Sequence, residues 1–467
     1  MKILKTIRVV LAALMLLGIT ALLLDTTGMV RHWMGWAPKI QLLPNIMALN
    51  LVMVVAVLVV TFLVGRLYCA VVCPLGIMQD IFIWAHKLLF PKRRFHYVAP
   101  KRLNTLRYVV LALFVLAMVV GLNSIAVLIA PYSMYGRIVT QIHSTGLPQV
   151  VAIVSLAVVG LCSFTMGRVW CNTVCPVGSL LSLVSRYRLF GVRLDTDKCV
   201  GCRRCEHGCK AMCIDIDNKR VDHSRCVDCW NCLGECKVGA LGFGKAIHGS
   251  QSTRSTRRTQ RTQSTRSTQR TQIDSGRRKF LATTAAVGTL MAVEAQEHKV
   301  DGGLAAITDK AVPERKTPLK PFGARSLKNF HSRCTACQLC VSQCPERVLR
   351  PSTKLTTLMQ PEMNYTDGYC RMACTRCSEV CPAGAILPIN KEEKTAISIG
   401  VAVVLRDNCI GCGTCARHCP SAAIGMVDGM PTVNEARCLG CGACEYYCPA
   451  RPVTAIYVEG REVHTSM

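Results

Sequence analysis

Acidic side chains are scarce in this chain: 28 Asp and Glu stand against 56 Lys and Arg, for a formal net charge of +28. Charged residues make up only 18 % of the 467 positions and aromatic ones 6 %, whereas 51 % are hydrophobic. That balance leans away from a solvated, highly charged chain and toward a membrane protein. No glycine-rich nucleotide fingerprint and no Ser/His/Asp nucleophile constellation is evident, which argues against nicotinamide chemistry and acyl hydrolysis. Long apolar runs are almost absent beyond residue 170. The excess is in cysteine, 30 residues. In a small secreted protein this would suggest a disulfide scaffold, but the C-x2-C-x2-C-x3-C spacing found here suggests metal. The length suggests about two to four domains.

Four apolar runs, Ile7–Leu24, Ile46–Val64, Tyr108–Ala130 and Leu147–Met166, have the roughly 20 residues that cross a bilayer. Lys2, Lys5 and Arg8 open the first; Lys92, Arg93, Arg94, Lys101, Arg102 and Arg107 fill the connection from the second to the third; Arg186, Arg188 and Arg193 follow the fourth. The other connections, Asp25–Asn45 and Pro131–Gly146, carry few basic residues, so the positive-inside rule predicts both ends of the bundle in the cytoplasm. The charge therefore reads as topology rather than nucleic-acid affinity, and no nucleic-acid partner is expected. The expected fold class is multidomain: a four-helix transmembrane bundle plus small α+β ferredoxin-like domains.

The predicted organisation is a membrane domain over 1–194, a cytoplasmic two-cluster domain over 195–245, a linker over 246–274, a signal-like segment over 275–298 and a four-cluster domain over 325–467. The linker is a Ser, Thr, Gln and Arg repeat with no apolar residue for a core, so disorder is expected. RNA or anionic lipid are the other partners its basicity allows. Arg277 and Arg278, followed by Phe280, Leu281 and a mild apolar run, look like a twin-arginine export signal, with Val293-Glu294-Ala295 as a cleavage site.

The chemistry lies in the cysteine runs. Those starting at Cys334, Cys409 and Cys438 share the C-x2-C-x2-C-x3-C-P pattern, and the run from Cys370 has one extra residue in its first gap. In this pattern three close thiolates take three irons of a 4Fe-4S cube and the cysteine before Pro ligates the neighbouring cube. The expected sets are Cys334, Cys337, Cys340 with Cys381; Cys370, Cys374, Cys377 with Cys344; Cys409, Cys412, Cys415 with Cys448; and Cys438, Cys441, Cys444 with Cys419. Four structural zinc sites are the bland alternative, but zinc favours well-separated C-x2-C pairs. In the shorter domain the sets are Cys199, Cys202, Cys205 with Cys236, and Cys226, Cys229, Cys232 with Cys209, Cys213 being an alternative to Cys209. Six 4Fe-4S clusters are expected. Lys210 and Lys237 replace the usual Pro and are expected to raise the reduction potential.

Two further pairs repeat each other: Cys69/Cys73 and Cys171/Cys175, each preceded by Gly-Arg and followed by Pro. On a continuing helix each pair would present both sulfurs on one face, with Pro and Gly then turning the chain along the membrane surface. They are candidate metal ligands or redox dithiols; Cys162 reads as core.

Four spans ending on C-x3-C-P, followed by a two-cluster module, resemble the NapH-type membrane ferredoxins and the related NosR and CcoG proteins. The twin-arginine segment with its four cysteine runs resembles NapG-type polyferredoxins, so the whole is similar to a NapH–NapG fusion. The resemblance implies electron transfer from membrane quinol to a periplasmic reductase, with the C-terminal domain exported across the bacterial inner membrane and the first domain cytoplasmic. Another expectation is an accessory redox protein for assembly of a respiratory enzyme. Residues considered for quinol protons are Asp25, His32, Gln141 and His143 on the outer connections and Asp80 and His86 inside, with Trp33 and Trp36 as interfacial anchors.

Overall fold

A computed structural model describes residues 2–25, 27–90, 102–120, 127–245 and 310–467. The linker, the twin-arginine segment and the basic residues Lys92, Arg93, Arg94 and Lys101 lie outside them.

The apolar half is helical because its long runs of Leu, Val, Ala and Ile carry no proline beyond the first turn. Helix α1 spans Lys2–Leu24, and a short α2 (Met29–Met34) follows. Helix α3 (Leu42–Met47) leads to α4 (Leu51–Val64), then come α5 (Tyr68–Val71) and α6 (Pro74–Leu89). The second half holds α7 (Arg102–Val120), α8 (Pro131–Gln141), α9 (Leu147–Met166), α10 (Val169–Thr173) and α11 (Pro176–Ser185). Among the described residues two helices, Ile3–Leu24 and Leu147–Met166, are long and apolar enough to cross a membrane.

The second expected run is not one helix. It breaks between Met47 and Leu51, where Leu49 has a left-handed backbone and Asn50 caps α4 by accepting from the Met53 amide. That leaves α4 with 14 residues. The third run begins earlier than expected, at Arg102, and its helix ends at Val120, 19 residues long. All these helices expose apolar side chains in quantity, among them Leu14 and Leu17 on α1, Val52 on α4, Val119 on α7 and Leu161 on α9.

The halves of the bundle are interleaved. Helix α6 packs on α9 of the other half, and α11 packs on α4 and α7. The first cysteine-rich module is closed by an antiparallel pair, β1 (Phe190–Leu194) with β2 (Leu241–Lys245), which brings its two ends together. The C-terminal module carries a longer pair, β3 (Ile397–Val404) with β4 (Ile456–Ser466), and short hairpins beside its cysteine runs. Arg315, Lys320 and Phe322, ahead of the boundary expected at 325, already pack into it: Arg315 donates to the Val458 carbonyl and pairs with buried Glu445.

Candidate functional site

The two C-x3-C-P segments do not continue the helices before them. Each preceding helix stops at a glycine with positive φ, Gly65 and Gly167. A short helix then carries Cys69 (α5) or Cys171 (α10), and Cys73 and Cys175 stand as the caps of α6 and α11. Pro74 and Pro176 occupy the first helical position, where a missing N–H costs nothing. Rather than turning the chain along a surface, they start new helices. The glycine two residues later is required by close approach: a Cβ at Gly76 would lie 2.3 Å from the Cys69 carbonyl oxygen, and one at Gly178 2.1 Å from that of Cys171.

The Gly-Arg that precedes each pair acts on the opposite pair. Arg66 donates to the Cys171 carbonyl (3.2 Å), the Asn172 side chain (2.8 Å) and the Ser224 carbonyl (3.0 Å). Arg168 donates to the carbonyls of Cys69 (2.9 Å) and Gly76 (3.0 Å) and to Asp80 (2.7 Å). Both guanidiniums are wholly buried. The crossed bonds draw the pairs together, so Cys175 lies within electrostatic reach of Cys171, Cys73 and Cys69. All four are buried.

This centre abuts the first cysteine-rich module. Asn172 donates to the Ala211 carbonyl, and the Arg168 amide to that of Lys210. Asp80 on α6 gathers Arg8 (3.2 Å), Arg168 (2.7 Å) and Lys210 (2.6 Å). Three cations around one carboxylate favour its ionised form. Asp80 is therefore a structural anion rather than a proton acceptor for quinol. Asp25 is likewise committed, accepting from the amides of Thr27, Gly28 and Val30. His86 packs against Phe164 and Phe90.

Within the module, Cys205 neighbours Cys199 and Cys236, while Cys232 neighbours Cys229, Cys226 and Cys209. Cys213 lies 3.4 Å from Cys209, sulfur to sulfur, and interacts with Cys226. Lys210, though paired with Asp80, also lies within electrostatic reach of Cys229 as a cation beside a cluster-set sulfur, whereas Lys237 is exposed. Lys394 of the C-terminal module fills the same role: its buried ammonium donates to Cys370 Sγ (3.2 Å) and to the carbonyls of Arg371 and Cys374.

The C-terminal runs enclose voids. One is walled by Cys334, Cys337, Cys340 and Cys381, another by Cys344, Cys370, Cys374 and Cys377, a third by Cys409, Cys412, Cys415 and Cys448. Cys419 is within reach of Cys438, Cys441 and Cys444. Among the described residues no group of His, Cys, Asp or Glu is close-set enough to hold a single metal ion. Donor sets made only of thiols and disposed around voids suit a multi-iron cube better than mononuclear zinc. The sets follow one another: the Cys370 amide donates to the Cys441 carbonyl.

The first of these sets sits against the bundle. Gln343 donates to the carbonyls of Leu22 (3.0 Å) and Asp25 (2.6 Å), Arg31 pairs with Glu379 (2.6 Å), and a Cβ at Gly136 of α8 would strike the Cys337 carbonyl oxygen. The two cysteine-rich modules thus meet opposite ends of α1, one near Arg8 and the other at Leu22. Fourteen residues of helix put those ends about 21 Å apart.

Sequence comparisons add family information. A pattern described as a 4Fe-4S binding domain matches residues 46–95 and 147–195, the two C-x3-C-P repeats. Patterns described as 4Fe-4S dicluster domains match 333–385, 369–424 and 402–449. A protein of Methanocaldococcus jannaschii with no assigned function is 31 % identical over 189 residues, 40 % of this chain and 68 % of its own. The ferredoxin-type protein NapG of Escherichia coli is 30 % identical over 162 residues (31 % of this chain, 64 % of NapG). YccM of the same organism, described as an electron transport protein, is 25 % identical over 175 residues (36 % of this chain). The chain spans about half the length of YccM, at 47 %.

Proposed function

This chain belongs to the ferredoxin-type 4Fe-4S proteins, with relatives that include NapG and YccM, and from that premise we propose that it is a membrane-anchored electron-transfer protein carrying electrons from quinol toward a redox partner on the outer side. The observation that carries this reading is the attachment of two cysteine-rich modules to opposite ends of α1. The side chains between them, Leu11, Leu14 and Leu17, are exposed and apolar, a surface suited to lipid. The bundle spans the membrane with the Arg8 end in the cytoplasm, as its basic residues favour. The C-terminal module then lies outside, reached through the twin-arginine segment as in a NapH–NapG fusion.

The six ferredoxin-type cysteine sets hold 4Fe-4S clusters by crossed ligation, with Cys209 rather than Cys213 completing the set of Cys226, Cys229 and Cys232, since it neighbours Cys229 and Cys232 as well. Cys69, Cys73, Cys171 and Cys175 together hold one further iron–sulfur centre between the modules. Such clusters supply one-electron storage at each site. The protein's part is to seat them in a row, screen the inner sets from water and leave Cys202 and Cys412 exposed at the far ends.

The test uses the purified full chain in liposomes, with iron–sulfur centres followed by optical and electron paramagnetic resonance spectroscopy. Addition of a menaquinol analogue should reduce them rapidly. Failure of any quinol to do so, in protein that dithionite reduces normally, would sink the reading. Protease added outside spheroplasts should cut within residues 325–467; protection of that module would overturn the orientation.

A further inference from the structure

A cavity of about 690 Å³ lies where α3, α7 and α11 meet the C-terminal module. Its apolar walls include Leu43, Met118, Val119 and Leu180. At one end it is bounded by Lys328 and His331, on the helix Leu327–Arg333 that leads directly into Cys334. Pro176, the residue after Cys175, also lines it. The cavity thus touches the segments that carry two separate cysteine sets. Val119 is 80 % exposed, so the apolar wall continues onto the outer surface of the bundle.

We propose that this cavity is the quinone-binding site, with the ring at the His331 and Lys328 end and the isoprenoid tail leaving past Val119 into lipid. The proposal rests on the quinol reading of the function. The chemistry of the walls matches such a ligand: a slot that is apolar over most of its area and polar at one end takes an amphipathic molecule with a polar ring and an apolar tail. The His331 ring is held in place by Gln360. Gln360 donates through its amide nitrogen to the His331 carbonyl (3.2 Å), which turns its oxygen to His331 Nδ1 (2.5 Å). Nδ1 must then carry the hydrogen. Burial outweighs the Gln360 bond and holds the imidazole below its ordinary value, so the ring is neutral near pH 7. Lys328 supplies a cation where a ring oxygen gains negative charge. A quinol oxidised here gives up two electrons and two protons and leaves as quinone. Clusters held by the Cys334 set and by the Cys175 set, as in the proposed function, would each accept one of the two electrons. The protons leave to water beside Lys328 and Ser332, both exposed.

The full chain in liposomes is photolabelled with an azidoquinone, and quinol-driven reduction is measured for the wild type and for Met118→Trp and Leu180→Trp, which fill the slot from two walls. Label is expected on peptides from α7, α11 and residues 327–333. Each variant is expected to raise KM for quinol about tenfold or more, with the dithionite-reduced spectrum unchanged. His331→Gln, which keeps a polar side chain there, should lower kcat more than it raises KM. Label recovered elsewhere, or wild-type KM in both filled variants, would overturn the site while quinol reduction of the wild type still upheld the function. A phospholipid that copurifies in the slot and resists displacement by quinone would also overturn it. If the wild type labels in the cavity but is not reduced by quinol, the function fails and the binding site stands.

Discussion

In each ferredoxin-type run three cysteines fall within seven or eight residues, whereas the bundle collects Cys69, Cys73, Cys171 and Cys175 from two segments about a hundred residues apart. The first kind of site takes three of its four cysteines from one loop, where a left-handed residue such as Trp230, Gln338 or Gly413 opens the short helix that carries the third. The second exists only when both halves of the bundle are folded and each arginine has reached across to the other half's carbonyl. A local site tolerates damage elsewhere; a shared one couples everything that touches it.

The sharpest way to break that contrast is at Asp80, which joins α1, α6, Arg168 and Lys210 through three buried ion pairs. Asp80→Asn leaves those cations uncompensated in a buried site, at a cost on the order of 3–5 kcal/mol. The expected outcome is loss of the shared centre and release of the 195–245 module to protease, with the C-terminal spectrum intact. An unchanged protease pattern would mean that the halves are not coupled through this carboxylate.

Next in size is a test of sharing itself. If the four bundle cysteines serve one centre, Cys69→Ser and Cys171→Ser should each abolish the same spectroscopic signal, and the double variant should be no worse than either. Two independent dithiols would instead lose function additively. In contrast, Cys412→Ser, at the exposed end of a local set, should remove one ferredoxin-type signal and leave the bundle's untouched.

A smaller effect is expected at Lys394, whose ammonium bonds Cys370 Sγ. A cation beside the sulfur favours the more negative, reduced state. Lys394→Met should therefore lower that site's midpoint potential by on the order of 60 mV, a tenfold change for a one-electron couple, as read by redox titration. Lys237→Met, at an exposed position, should shift its neighbour far less.

The same contrast decides what could be read from the sequence. The ferredoxin-type runs are legible because their cysteine spacing is a local property, and the doubled Gly-Arg…C-x3-C-P is visible as a repeat. That Arg66 would serve Cys171, and Arg168 Cys69, is not, because nothing local encodes which half of the bundle a buried guanidinium faces. Lys210 is readable as a cation near cysteines, but its pairing with Asp80 of α6 is not; Lys394 is 24 positions from its sulfur and carries no signal. The break before α4 did have one, since Asn50 is a good helix cap, but hydropathy alone ran the helix through it. His331 carries no signal of this kind, because only the fold brings the helix that bears it against Met118 and Leu180 of the bundle.

The least costly change expected is at the junction of the bundle with the C-terminal module. Arg31 and Glu379 pair at 2.6 Å but are 30 % and 39 % exposed, so water and salt screen them. Arg31→Ala should weaken docking by at most about 1 kcal/mol, and the difference from the wild type should fade as salt is raised. Gln343 is buried and donates to two carbonyls that end α1; its truncation leaves both without a partner and should cost more, about 1–3 kcal/mol, independent of salt. Hydrogen exchange across residues 327–343 reads both. If Arg31→Ala loosened docking more than Gln343→Ala, the module would be held by its charged rim, and the passage from the bundle to the Cys334 set would depend on ionic strength. The reverse order, which the burial of Gln343 favours, makes that junction as permanent as the one around Asp80.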